Sequence, residues 1–204
     1  MLAKSMARGK NGVFLKEGLV DFRSIGAICS TSKAVARAMA PKIPVSDPPK
    51  VIVELGVGTG NITEEILRHL RPQDMFIGIE QSENLLEVCR ENLCIGDKNI
   101  SVRLEHGLAQ DLHTILRKYH ITAVDDIVCT IPFRVLPKRE TRHILEEVRR
   151  VIQPGGHFSF IRLLPALETS IIYEILSDFS VVHKKLVMRN IPPAEVVIMR
   201  KGVS

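Results

Sequence analysis

Val51-Ile52-Val53-Glu54-Leu55-Gly56-Val57-Gly58-Thr59-Gly60 is the stretch on which the reading of the chain turns. Val51 to Leu55 are apolar except for Glu54, the pattern of a strand buried on both faces at the centre of a parallel sheet. Three alternating glycines follow, and a helical pattern begins at Asn61. A strand that stops in glycines and restarts as a helix makes a tight turn with no Cβ in the way, so a ligand can lie against its backbone. The spacing G-x-G-x-G is one residue shorter than the dinucleotide fingerprint G-x-G-x-x-G. Glu54 beside the turn would repel a pyrophosphate and suits a cationic ligand that carries an amino acid. A second carboxylate, Glu80, ends the next apolar run, Met75-Phe76-Ile77-Gly78-Ile79, about 20 residues past the last glycine, where it can hold both ribose hydroxyls. Together these features point to a nucleoside cofactor.

The chain around this stretch has 204 residues, 45% apolar and 25% charged, and a formal net charge of +5. That is room for one α/β domain with a substantial core. No run approaches the ~20 apolar residues of a membrane span, and the first ten residues lack the apolar core of a signal peptide. Cys29, Cys89, Cys94 and Cys129 show no C-x-x-C pairing and read as buried reduced thiols of a cytoplasmic protein. The basic balance favours anionic partners, whether nucleic acid, phospholipid headgroups or acidic metabolites.

Strand and helix patterns alternate along the rest. Helices are expected at Lys33–Ala40, Ile62–His69, Glu83–Leu93, Glu140–Ile152 and Ala166–Leu176, with a short one ending at Tyr119. Strands are expected at Met75–Glu80, Ile100–Leu104, Ala123–Cys129, His157–Leu163, and near Ser180–Met188 and Glu195–Arg200. Arg134–Arg139 reads as a loop. The sheet should be mainly parallel with helices on both faces, closed by an antiparallel C-terminal pair. Residues 1–45 are expected to form a helical cover and residues 46–204 the cofactor domain. Within the first 24 residues Lys4, Arg8, Lys10, Lys16 and Arg23 outnumber Glu17 and Asp21, while Phe14, Leu15, Leu19 and Phe22 recur at helical spacing. Such a helix can lie in a membrane interface or can pack over the cofactor pocket.

E-L-G-x-G-x-G, the strand order and the Gln153–Gly156 turn resemble the class I methyltransferases dependent on S-adenosylmethionine (SAM). That resemblance implies a Rossmann-like seven-stranded sheet and SAM as cofactor. Phe14-Leu15-Lys16-Glu17, Ile25-Gly26-Ala27-Ile28, Ser30-x-Ser32 and Ala34-x-Ala36-Arg37-Ala38-Met39 are similar to the opening of the bacterial phospholipid N-methyltransferases, relatives of the rRNA adenine dimethylases. The resemblance implies a substrate of phosphatidylethanolamine type, methylated at the inner face of the cytoplasmic membrane. It assigns the cofactor to Glu54, Gly56, Gly58, Gly60, Glu80, Gln81, Leu108, Ala109, Thr130, Ser30 and Ser32. Thr130, Ile131 and Pro132 are the candidate catalytic turn, and Phe133, Arg134 and Arg162 the candidate headgroup contacts. Two departures stand out. The family's Gly-Asp-Ala after the third strand is Gly107-Leu108-Ala109, and its Ser-Gly-Leu-Pro turn is Thr130-Ile131-Pro132.

Methyl transfer from a sulfonium is an in-line displacement that needs positioning to ~3–3.5 Å and a neutral amine. No dedicated base is apparent, and His106 reads as a structural histidine. The carbonyls of Thr130 and Ile131 can accept amine hydrogens, and Phe133 can face an ammonium or plug the core. Arg134 and Arg162 offer forks for a phosphodiester; Arg139 and Arg142 can equally be solvated helix residues. His157 and His183 have no partners at ligand spacing, so no metal is expected. An RNA or small-molecule N-methyltransferase remains an alternative, although base-modifying enzymes typically place Asn or Asp before the proline–aromatic turn and the dimethylases add a helical domain after the sheet. A SAM-binding module without turnover is the other alternative.

Overall fold

A computed structural model describes residues 32–44, 47–93, 100–164, 170–190 and 192–203. The first 31 residues, with Ser30 and the amphipathic stretch, lie outside the described residues. The central strand β1, Val51–Leu55, pairs in parallel with β2, Met75–Glu80, on one side and with β4, Val124–Cys129, on the other. β3, Ser101–His106, extends the sheet beyond β2, and β5, Ile152–Leu163, extends it beyond β4. β7, Ala194–Lys201, runs antiparallel to β5, and β6, Phe179–Val187, antiparallel to β7 at the edge. The order is β3-β2-β1-β4-β5-β7-β6, the expected mainly parallel sheet with its antiparallel C-terminal pair. Strand order reverses between β1 and β4, which opens a crevice at their carboxyl ends.

Helices cover both faces because β1 and its neighbours present apolar side chains to each. Ile52 and Phe76 meet α1, Lys33–Met39, α2, Asn61–His69, and α3, Glu83–Asn92. Val53, Leu55 and Ile77 meet α4, Leu112–Arg117, α5, Lys138–Val151, and α6, Ser170–Ile175. The buried positions of α5, Thr141, Ile144, Leu145, Val148 and Val151, recur every three or four residues, the stripe that seats a helix on a sheet. Ser32 and Ser82 cap α1 and α3, each hydroxyl accepting a backbone N–H at 3.4 Å.

At the opposite end of the sheet, buried acids lock the start of β1. Asp125 accepts from the Val51 N–H at 2.8 Å, from Lys50 Nζ at 3.1 Å and from Gln153 at 2.7 Å. Asp74 accepts from the Lys50 and Arg71 N–H groups and from the Arg71 guanidinium, whose charge and hydrogen bonds hold it below the usual carboxylate range despite burial.

Several boundaries differ from the sequence expectation, each through tertiary pairing. β3 runs on to His106 because Glu105 and His106 stay in register with Ile79 and Glu80. β5 starts at Ile152 rather than His157, and a register shift between Val124 and Asp126 absorbs the Pro154–Gly156 turn. There the backbone passes so close that a Cβ on Gly156 would stand 2.4 Å from the Asp125 carbonyl. The loop expected over 134–139 is a 3-10 turn, Phe133–Val135, then Leu136 and Pro137, with α5 starting at Lys138.

Candidate active site

The glycine turn sits at the carboxyl end of β1. Gly56, Gly58 and Gly60 all have positive φ, at 83°, 54° and 92°, a region that costs a residue with a Cβ about 1 kcal/mol or more. Two of them are also tightly packed. A Cβ on Gly56 would lie 3.0 Å from Thr130 Oγ1, and one on Gly60 3.1 Å from Cys89 Sγ. At Gly58 a Cβ would meet nothing within 4 Å. Gly58 therefore presents bare backbone to open space, the cradle a ligand can enter.

Neighbouring strand tips hold the turn. The Gly56 N–H donates to the Ile79 carbonyl at 2.8 Å, and the Gly58 N–H to Glu80 Oε2 at 3.0 Å. The other oxygen of Glu80 accepts from the Ser82 N–H at 3.0 Å. On the β4 side the Thr130 N–H donates to the Leu55 carbonyl at 3.0 Å, and its hydroxyl donates toward the carbonyls of Leu55 and Gly56. The loop is thus tied on the β2 side by a carboxylate and on the β4 side by a hydroxyl.

Glu54 points to the α2 face and is wholly buried. The Thr63 hydroxyl donates to its Oε2 at 2.7 Å, while Oε1 has no hydrogen-bond partner. Desolvation, opposed by the Thr63 bond and helped by the nearby Glu80, pushes the carboxyl up to about 8. At neutral pH the acid is therefore mostly protonated, although the charge argument from sequence took it as a carboxylate. A cation brought beside Oε1 would restore that charge and satisfy the orphaned oxygen.

After β3, Gly107 donates its N–H to the Glu80 carbonyl at 2.9 Å, which sets the next residues beside the tip of β2. Leu108 is 41% exposed and leads into a 3-10 turn, Ala109–Asp111, in which Ala109 is buried. The site thus carries an apolar side chain here, and Asp111 is exposed. Gln81 is exposed too, and its carbonyl accepts from His106 Nε2 at 3.1 Å, a structural bond.

At the tip of β4, Ile131, Pro132 and Phe133 are half-buried, with Ile131 and Phe133 against the core of the α5 face. The Pro132 and Phe133 carbonyls accept the N–H groups of Val135 and Leu136. Among the described residues the carbonyls of Thr130 and Ile131 accept none. Arg134 is exposed. Arg162 is joined to Glu195 across the β5–β7 pair. Ser32 caps α1, and its N–H donates at 3.0 Å to the side chain of buried Asn190 in the β6–β7 loop. The buried thiols Cys89 and Cys129 are raised by desolvation to about 11 and about 12, which leaves both as inert packing groups.

Two partners went unmarked in the sequence reading. Thr63 is the polar member of the buried stripe Ile62, Thr63 and Ile66, a position that could have signalled a buried acceptor. Ser82 directly precedes a helical pattern, an N-cap signal that also locates the second N–H on Glu80.

The profile of the family described as "Methyltransferase domain" matches residues 52–156, from β1 into β5, and the chain belongs to that family. It is a SAM-dependent methyltransferase with the class I fold, and S-adenosylmethionine is its cofactor. The open backbone at Gly58, the carboxylate at the β2 tip and the orphaned Glu54 oxygen suit that ligand's nucleoside and ammonium groups. Over 183 residues, 90% of each chain, it is 27% identical to an ornithine lipid N-methyltransferase from Singulisphaera acidiphila. Its fold is similar to that of TrmN from Thermus thermophilus, with a TM-score of 0.64 and 18% identity over 83% of this chain and 48% of that one. It is also similar to a magnesium protoporphyrin IX methyltransferase from Synechocystis PCC 6803 with bound SAM, with a TM-score of 0.63 and 10% identity over 98% and 87%. No described helix is long and apolar enough to cross a membrane.

Proposed function

We propose that this methyltransferase acts on the amine of an aminolipid headgroup, of phosphatidylethanolamine or ornithine-lipid type, from the cytoplasmic face of a membrane. The observation that carries the reading is the match along 90% of both chains to an ornithine lipid N-methyltransferase. Bound SAM supplies a methyl group on a cationic sulfur. The chain's own residues bind and aim. Gly58 admits the ligand against the turn, with Gly56 and Gly60 shaping it. Glu80 has lone pairs left for ribose hydroxyls, since each of its oxygens accepts a single backbone N–H. Glu54 receives the ammonium group of the ligand's amino-acid end. Leu108 and Ala109 form an apolar wall for the adenine beside exposed Gln81.

The free carbonyls of Thr130 and Ile131 accept hydrogens of the substrate amine and turn its lone pair toward the crevice. Pro132 stiffens that turn. A headgroup ammonium must first lose a proton, and water or the lipid phosphate takes it, since no side chain at the β4 tip has the chemistry of a base. Phe133 offers a ring edge and face to the headgroup, and exposed Arg134 a guanidinium for its phosphate or carboxylate. Because Arg162 is already joined to Glu195, its share in headgroup binding requires that pair to open.

Incubation with radiolabelled SAM and a total lipid extract, followed by chromatography, tests the reading. Label is expected in an aminolipid. Label confined to RNA, or to no lipid species, would overturn it.

A further inference from the structure

We propose that the outer edge of the sheet, strand β6 with Met188 and Arg189, is a docking surface for an anionic phospholipid bilayer. The inference rests on the lipid reading above and adds the surface by which the enzyme would reach its substrate.

From Ser180 to Leu186 every side chain of β6 is exposed, on both faces of the sheet. Val182 is 52% exposed, Leu186 53% and Met188 66%. His183, Lys184 and Lys185 stand between them and Arg189 follows, and no acid occurs from Phe179 to Ala194. Register places Lys184 and Leu186 on one face, opposite Val197 and Glu195, and His183 and Lys185 on the other, opposite Ile198 and Val196. The free edge therefore carries a lysine on each face, with Leu186 beside Lys184 on one of them.

Lysines on an edge strand are an ordinary guard against pairing with another sheet. Leu186 and Met188 do the reverse, since exposed aliphatic groups at an edge invite association, so solubility alone does not account for the mixture. Charge selects the occupant. A second copy of the same strand would set lysine against lysine. Of the strand's two rings Phe179 is buried and His183 alone is exposed, a poor platform for successive bases, which disfavours single-stranded nucleic acid. Aliphatic side chains interleaved with lysines match a bilayer interface, where acyl chains receive the first and anionic headgroups the second.

The position also suits the task. Val187 pairs with Ala194, and Ala194 with Leu163 at the carboxyl end of β5, the end of the sheet that carries the glycine turn. Leu186, Met188 and Arg189 thus lie at the crevice end of the sheet, four strand spacings or roughly 19 Å from β1.

The test is sedimentation of the full chain with phosphatidylcholine vesicles, with and without phosphatidylglycerol, for the parent, Lys184→Glu/Lys185→Glu and Leu186→Ser/Met188→Ser. Each basic group near an anionic surface contributes about a factor of five. The charge variant should therefore bind phosphatidylglycerol vesicles at least ~25-fold more weakly. The apolar variant should lose roughly tenfold. All the substituted residues are exposed, and unchanged SAM affinity by calorimetry shows that the variants fold. Binding by either variant as tight as the parent's overturns the docking surface, as does tighter parental binding to a single-stranded RNA than to these vesicles. Methylation of an aminolipid in detergent micelles separates the two readings. Its absence in the parent, together with variant-sensitive vesicle binding, sinks the substrate reading and supports the surface.

Discussion

The carboxylate of Glu80 accepts the backbone N–H of Gly58 at 3.0 Å, so the acid at the tip of β2 shapes the turn at the tip of β1 before any ligand arrives. Its second oxygen holds the Ser82 N–H that opens α3. Replacing it by glutamine puts an amide donor against one of these N–H groups. Hydrogen bonds to a charged group contribute about 1.5–3 kcal/mol each, so Glu80→Gln should weaken SAM binding roughly tenfold to a hundredfold. Isothermal calorimetry checks this, and an unchanged affinity would remove Glu80 from the site.

Gly58 and Gly78 separate ligand space from packing space. Gly58→Ala places a methyl group where the chain has nothing within 4 Å, at a φ of 54°. It should cost only about 1 kcal/mol of stability and lower SAM affinity more than roughly tenfold. Gly78→Ala drives a Cβ to 2.5 Å from Val57 Cγ1 and 2.9 Å from Leu104 Cδ2. Overpacking there should cost about 1–3 kcal/mol and move affinity less. Thermal melts paired with calorimetry distinguish the two patterns.

Glu54 makes stability depend on pH in an unusual direction. Its carboxyl is raised to about 8 in the folded chain from an ordinary 4.5. The unfolded chain releases this proton first, so the folded state loses stability as pH rises from 4.5 to about 8 and levels off above. Between pH 5 and 8 the parent should lose on the order of 3 kcal/mol relative to Glu54→Gln, read from urea unfolding at both ends. If the ligand's ammonium meets Oε1, SAM affinity should also rise over the same interval in the parent and stay flat in the variant.

Thr130→Val keeps the shape of the β4 tip and removes the hydroxyl that reaches the Gly56 and Leu55 carbonyls. Loss of a neutral hydrogen bond costs about 1 kcal/mol, so stability should fall only slightly. The free carbonyls of Thr130 and Ile131 would shift, however, and misplacing reacting groups by an ångström can cost about a hundredfold in rate. A kcat on aminolipid micelles reduced tenfold or more, with SAM affinity within about threefold of the parent, is the expected result. A matched fall in both would assign Thr130 to cofactor binding alone.

The sequence by itself determined the sheet and its crevice. The run Val51–Leu55 reads as a strand buried on both faces, Gly56, Gly58 and Gly60 as a turn, and the alternation behind them as a mainly parallel sheet. Those features are local, because backbone conformation and apolar period are written into neighbouring residues. Only the tertiary structure decided which polar atoms have lone pairs to spare. Glu54 meets Thr63 nine residues on and loses its charge to burial, and Arg162 meets Glu195 through strand pairing 33 residues away. The 3-10 turn takes its first N–H on the Pro132 carbonyl, so it uses neither the Ile131 nor the Thr130 carbonyl. Hydrogen bonding and desolvation depend on which strand tips and helices the folded sheet sets side by side, and proximity in sequence does not show which partners meet.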